Sequence, residues 1–286
     1  MRSAPEIRLS SEWLSLREPA DAEARSRELV ARLRAADDPT GPWTIHDLGC
    51  GTGGMGRWLA PQLDGPQHWI LHDLDADLLA LAAAGPPGPA ADGSTVSVEP
   101  RRSDITRLRP TDLAGATLIT ASALLDLLTE RELAELAAVC AQARCPVLVT
   151  LSVIGEVAIS PPEPLDRGVA AAFDAHQRRL IDRGRLLGPD APARVAEAFG
   201  RLGGEVHRRP SPWRLGPGQA RLAAEWFEGW VGAAREQDHE LIAVSNGYRT
   251  ERLAQLRAGR AQVTVGHADL LILPAAQSRS KRDESA

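Results

Sequence analysis

The chain has 286 residues, of which 43% are apolar and 25% charged, a balance that allows a real core and excludes a disordered polymer. Its net charge of −5 gives no long-range pull on a polyanion, so a nucleic-acid partner is not expected. No stretch approaches the roughly 18 consecutive apolar residues needed to span a bilayer, and Cys50, Cys140 and Cys145 lack C-x-x-C spacing or a secretory signal, which points to a cytoplasmic protein with reduced thiols and no metal site.

From Ser10 to Ala36 the apolar residues Trp13, Leu14, Leu16, Leu29, Val30 and Leu33 recur at helical spacing, and Pro19 is expected to break the segment into two helices. Residues 1–42 read as a helical lid, closed by the turn-rich run Asp38-Pro39-Thr40-Gly41-Pro42. Strands are expected at Trp43–Leu48, His68–Leu74, Thr95–Glu99, Ala116–Ser122 and Pro146–Ser152. Helices are expected at Gly54–Leu63, Asp77–Ala84 and Glu130–Ala143. Strands alternating with helices predict β-α-β units and a mostly parallel sheet covered on both faces, here over residues 43–154.

The alternation stops at Gly155. Residues 155–203 read as a helical insertion, Asp166–Arg185 and Ala191–Leu202, that caps a substrate. Residues 204–274 return to the core through a short strand near Val206–Arg208 and helices Gln219–Arg235 and His239–Arg257. They are expected to end on a β-hairpin, Ala261–Val265 against Asp269–Leu273 across Gly266-His267. The polar tail 275–286 is expected to be disordered.

The first strand opens into Asp47-Leu48-Gly49-Cys50-Gly51-Thr52-Gly53, where glycines bring backbone close to a ligand. Gly49, Gly51 and Gly54 also fit the G-x-G-x-x-G dinucleotide fingerprint, so an NAD(P)-dependent oxidoreductase is one reading. Asp47 opposes it: a carboxylate there repels a pyrophosphate and suits a cationic amino group. In this the segment Ile45–Gly53 resembles motif I of the class I, Rossmann-like S-adenosylmethionine-dependent methyltransferases. The resemblance extends over residues 43–152 and implies a seven-stranded, mostly parallel sheet with a reversed C-terminal strand. It implies S-adenosylmethionine as cofactor, with Asp73 on the ribose hydroxyls and Asp104 on the adenine amino group. Leu74 and Ile105 become the apolar walls of the adenine, Gly49, Cys50, Gly51 and Gly53 line the loop, and Thr120 and Ser122 lie near the methionine end. Cys50 reads as a packing residue rather than a nucleophile.

Methyl transfer needs alignment more than a catalytic side chain, though a base helps when the acceptor carries a proton. Two candidates stand out: Asp126, just after the fourth strand, and His176, on a helical face with Phe173 and Leu180. No Asn/Asp-Pro-Pro-aromatic motif or Pro-Cys nucleophile follows the fourth strand. With the acidic charge, this points to a small-molecule acceptor. A catalytically silent subunit of the same fold is the third reading.

Overall fold

The computed structural model describes residues 10–36 and 41–274, so the predicted turn at 38–40 and the tail 275–286 lie outside the described residues. Two helices come first, α1 (Ser11–Ala24) and α2 (Arg27–Ala36). Contrary to expectation, α1 runs straight through Pro19 and the break falls at Arg25-Ser26. Pro19 projects from the exposed side of α1. The true break is fixed from outside, because the Ser26 backbone N–H donates to the Asp269 carboxylate at 2.7 Å rather than to the helix.

The expected alternation follows as β1 (Trp43–Leu48), α3 (Gly54–Leu59), β2 (Gln67–Asp73), α4 (Ala76–Ala84), β3 (Val96–Arg102), β4 (Leu118–Ser122), α5 (Glu130–Ala143) and β5 (Val147–Ser160). Helix α5 begins with a capping box: Thr129 Oγ1 accepts from the Glu132 N–H, and Glu132 Oε2 accepts from the Thr129 N–H at 2.9 Å. Thr129→Ala removes one half of this reciprocal cap and is expected to cost about 1 kcal/mol. Urea unfolding checks it, and an unchanged midpoint would mean that burial alone sets the helix start.

Strand β5 continues eight residues beyond the predicted Ser152. Helix α6 (Asp166–Gln177) is shorter than expected, because the chain turns at Arg178 into a two-residue hairpin, β6 (Leu180–Ile181) with β7 (Gly184–Arg185). Helix α7 (Ala191–Arg201) packs on α5 and the sheet, so this half of the segment 155–203 covers the core. Then come β8 (Glu205–Pro210), β9 (Trp213–Leu215), α8 (Ala220–Gln237), α9 (Glu240–Arg257) and β10 (Gln262–Leu273).

The terminal hairpin does not form: β10 is one strand, antiparallel to β5 along nearly its whole length. Gly266, taken as a turn residue, serves close approach instead, since a Cβ there would lie 2.8 Å from both Ile154 Cγ1 and Glu156 Cβ on β5. The sheet order is β3-β2-β1-β4-β5-β10-β8, with β9 sharing the outer edge of β10. The count is therefore eight strands, because Ser211 and Pro212 divide the edge partner of β10 in two. Strands β1–β5 are parallel and β10 is reversed. This is the class I methyltransferase fold that the resemblance implied.

Apolar layers cover both faces of the sheet. Leu133 and Leu136 of α5 with Val195 and Phe199 of α7 pack on one face, and Leu29, Leu33, Met55, Leu59 and Leu79 on the other. A third cluster under α6, α8 and α9 buries Phe227, Trp230 and Tyr248 against the extended ends of β5 and β10. Arg252, fully buried, ties this cluster together through Asp166 at 2.8 Å and the Pro161 carbonyl at 2.7 Å. The aromatic residues of the C-terminal half thus mainly form core.

Candidate functional site

The strand order reverses between β1 and β4, and in open α/β sheets a ligand crevice forms beyond the carboxyl ends of the strands at such a switch point. The glycine loop lies at this place. Gly49 has φ of +64°, and a Cβ on it would lie 2.8 Å from both Leu124 methyl carbons, so only glycine fits between β1 and the segment after β4. The loop is braced internally: the Cys50 N–H donates to the His72 carbonyl, the Gly51 N–H to Asp73 Oδ2 and the Gly53 N–H to the Cys50 carbonyl, each at 2.9 Å. These three amides are turned to protein acceptors and away from any phosphate.

Asp47 is buried behind the loop. Its Oδ1 accepts from Thr120 Oγ1 at 2.7 Å, while Oδ2 has no partner. Burial pushes the carboxyl up to about 7. The Thr120 hydrogen bond and the Arg25 charge pull it down, and Asp73 adds to the rise. Thr120 is thus the orienting partner of Asp47. Burial and the two carboxylates also push the Cys50 thiol up, which leaves Cys50 a packing residue.

Helix α1 lies across the loop. Leu14 Cδ1 is 3.1 Å from where a Gly51 Cβ would stand, and Glu18 clasps Arg57 of α3 with contacts of 2.7 and 2.6 Å. At the end of α1, Arg25 is buried with its guanidinium over the Trp58 ring, 5.4 Å from the centroid. Its Nη2 donates to Ser122 Oγ at 3.0 Å, and Ser122 also accepts from Thr150 Oγ1 at 3.0 Å. No motif marks Arg25 in the sequence.

The other predicted residues divide between the loop rim and more distant positions. Asp73 closes β2, and its carboxylate accepts from Gly51 and from the Asp75 N–H at 3.0 Å, so it shapes the loop directly. Leu74 beside it is 49% exposed, an uncovered apolar surface just past the end of β2, and Ile105 is buried. Asp104 caps the short turn Ile105–Arg107, accepting from the Thr106 N–H at 2.9 Å and the Thr106 hydroxyl at 2.7 Å. Asp126 sits in the turn Leu125–Leu127 after β4, half-buried, where burial raises its carboxyl and the Arg17 charge opposes the rise. His176 lies apart on α6, its Nε2 3.2 Å from Glu236 of α8, and burial lowers its pKa. No hydrogen bond or ion pair among the described residues joins His176 to the loop or to Asp126.

Among the described residues no cluster of His, Cys, Asp and Glu could hold a metal ion, and no helix is long and apolar enough to cross a membrane.

No family model matches the chain, and no curated protein does. Solved structures with similar folds include a cyclopropane synthase from Mycobacterium tuberculosis, 14% identical over 92% of this chain and 94% of that one, with a TM-score of 0.47. A second is a SAM-dependent methyltransferase from Methanosarcina mazei, 9% identical, covering 87% of this chain and 99% of that one, at a TM-score of 0.48. A third, from Geobacter sulfurreducens and bound to S-adenosyl-L-homocysteine, is 15% identical over 96% of this chain and all of that one, at a TM-score of 0.41. What sets the fold is the strand order and the reversed β10, independently of these likenesses.

Proposed function

We propose that this chain is an S-adenosylmethionine-dependent methyltransferase acting on a small molecule. The carrying observation is the Asp47 carboxylate, buried behind the glycine loop with one oxygen unpartnered. A buried acceptor without a donor is unfavourable, and at this end of β1 a cationic amino group satisfies it whereas a pyrophosphate is repelled. The loop agrees, since the amides of Cys50, Gly51 and Gly53 are held by protein acceptors and cannot cradle a phosphate. The dinucleotide reading loses its main support on both counts.

Bound in the crevice, the cofactor supplies a methyl group on a sulfonium, open to in-line displacement. The residues of this chain bind, orient and exclude water. Asp47 and Thr120 fix the amino end; Asp73 takes the ribose hydroxyls, and Leu74 and Ile105 flank the adenine, with Asp104 at its amino edge. Helix α1 closes over the loop as the lid, and the segment around α6 shapes the acceptor pocket. Asp126 lies four residues past Ser122, the end of β4, and its raised carboxyl suits a group that accepts the acceptor's proton. His176, paired with Glu236, is the more distant candidate.

Isothermal titration of the full chain with S-adenosylmethionine, S-adenosylhomocysteine and NAD⁺ tests the reading. The two adenosyl ligands are expected to bind and NAD⁺ to leave no heat. Binding of NAD⁺ alone restores the oxidoreductase reading, and no binding at all favours a silent subunit of this fold.

A further inference from the structure

The α1–α2 junction places a buried cation at the carboxyl end of β4 with no anion of its own. Arg25 is 5% exposed, and of its guanidinium nitrogens only Nη2 has an acceptor, Ser122 Oγ; Nε and Nη1 are buried without partners. The carboxylates that act on it are engaged elsewhere. Asp21 receives three contacts from Arg17, between 2.9 and 3.2 Å, and one from Trp213 Nε1 at 3.0 Å. Asp269 receives the Leu151 and Ser26 N–H groups and the Ser211 hydroxyl. No carboxylate lies within 4 Å of Arg25 in any ion pair among the described residues.

A buried guanidinium left in this state is strongly unfavourable unless the site is made to receive a negative group. The matching defect is near: Asp47 Oδ2 is also buried and unpartnered, and the Arg25 charge acts on the Asp47 carboxyl without a direct contact. Two orphaned groups of opposite sign, bonded to Ser122 and Thr120 two residues apart on β4 and not paired with each other, are the complement of a zwitterion. An α-amino acid end carries that pattern, an ammonium and a carboxylate on one carbon.

We infer that Arg25 receives the carboxylate of the ligand's amino-acid end while Asp47 receives its ammonium. This rests on the S-adenosylmethionine reading and adds to it the residue that recognises the carboxylate. The seat is prepared in advance. The Ser26 N–H is anchored on Asp269, Ser122 holds one edge of the guanidinium, and Trp58 underlies it. Because Arg25 stands at the end of α1, a bound carboxylate also fastens that helix over the glycine loop, coupling ligand occupancy to closure.

The test is titration of the full chain with S-adenosylhomocysteine and with 5′-(3-aminopropylthio)-5′-deoxyadenosine, which lacks only the carboxylate. Wild type is expected to bind the first about 10–100-fold more tightly, as the loss of charged hydrogen bonds requires. Arg25→Gln should weaken S-adenosylhomocysteine alone and bring the two ligands close to parity, with Arg25→Lys in between and circular dichroism confirming the fold. Equal binding of both ligands by wild type, which needs no variant, overturns the inference. So does an equal loss for both in Arg25→Gln. If wild type binds neither ligand, the cofactor reading itself has failed and Arg25 falls with it.

Discussion

Asp269→Ala is expected to destabilise the fold by about 3–5 kcal/mol, although the residue lies far from the glycine loop in sequence. Asp269 is fully buried on β10, and its Oδ1 accepts from the Leu151 N–H at 2.8 Å and from Ser211 Oγ at 2.5 Å. Its Oδ2 accepts from the Ser26 N–H at 2.7 Å. Truncation strands three donors, the buried Leu151 N–H and Ser211 hydroxyl and the half-buried Ser26 N–H, and each unsatisfied buried donor costs about 1–3 kcal/mol. Two of them sit where the backbone departs from regular structure: Leu151 has φ of +56° within β5, and Ser26 follows the break between α1 and α2. Asp269→Asn keeps an acceptor but sets an NH₂ against one donor, so its cost should fall between wild type and alanine. Urea unfolding at unchanged slope measures both. A loss below about 0.5 kcal/mol for the alanine variant, the size of an ordinary surface substitution, would mean that the three donors find water instead. The same variant should weaken binding of adenosyl ligands, since the Ser26 anchor positions Arg25.

That carboxylate also shows where sequence reasoning stops. Helix α5 was readable to the residue because its start is local chemistry, a threonine cap with a glutamate three positions on. The strands β1, β2 and β4 were readable because short apolar runs between helices have few other solutions in a parallel sheet, and β3 because Val96 and Val98 alternate with polar residues. The break after α1 was misplaced at Pro19, a local signal, because the real cause is Asp269, 243 residues away. Gly266 was misread for a related reason: a glycine in an apolar run looks like a turn, and its actual role, the approach of β5, exists only once the sheet is assembled. The site divides the same way. Asp47, Asp73 and the loop glycines belong to one contiguous motif and its neighbouring strand. Arg25 enters from a helix whose packing no spacing rule reveals. One signal was present: a lone aspartate in the apolar run Ala268–Leu273 is a buried polar group that must find donors.

Ligand affinity should fall about tenfold per pH unit as pH drops below about 7, while stability moves the other way, and both follow from Asp47. Its carboxyl is raised from 3.8 to about 7, chiefly by burial, against the Thr120 hydrogen bond and the Arg25 charge, with Asp73 adding to the rise. Between those values the folded chain holds a proton that the unfolded chain releases. The group therefore contributes stability that is complete below the unfolded value and is lost as pH rises through about 7. Binding has the opposite sign, because an ammonium needs the carboxylate and must displace that proton. The buried histidines do not confuse the window. His46 and His72 are lowered to about 4 and His267 to about 3, so all three stay neutral between pH 5 and 8. Asp47→Asn removes the titration, and it should flatten the affinity profile and weaken S-adenosylhomocysteine by roughly 10–100-fold at pH 8. The amide keeps an acceptor for Thr120 and loses the desolvated charge, so this variant is expected to be at least as stable as wild type at pH 8. A profile that stays steep in Asp47→Asn would place the titrating group elsewhere. A variant that keeps full affinity would show that the unpartnered oxygen is not the ammonium seat.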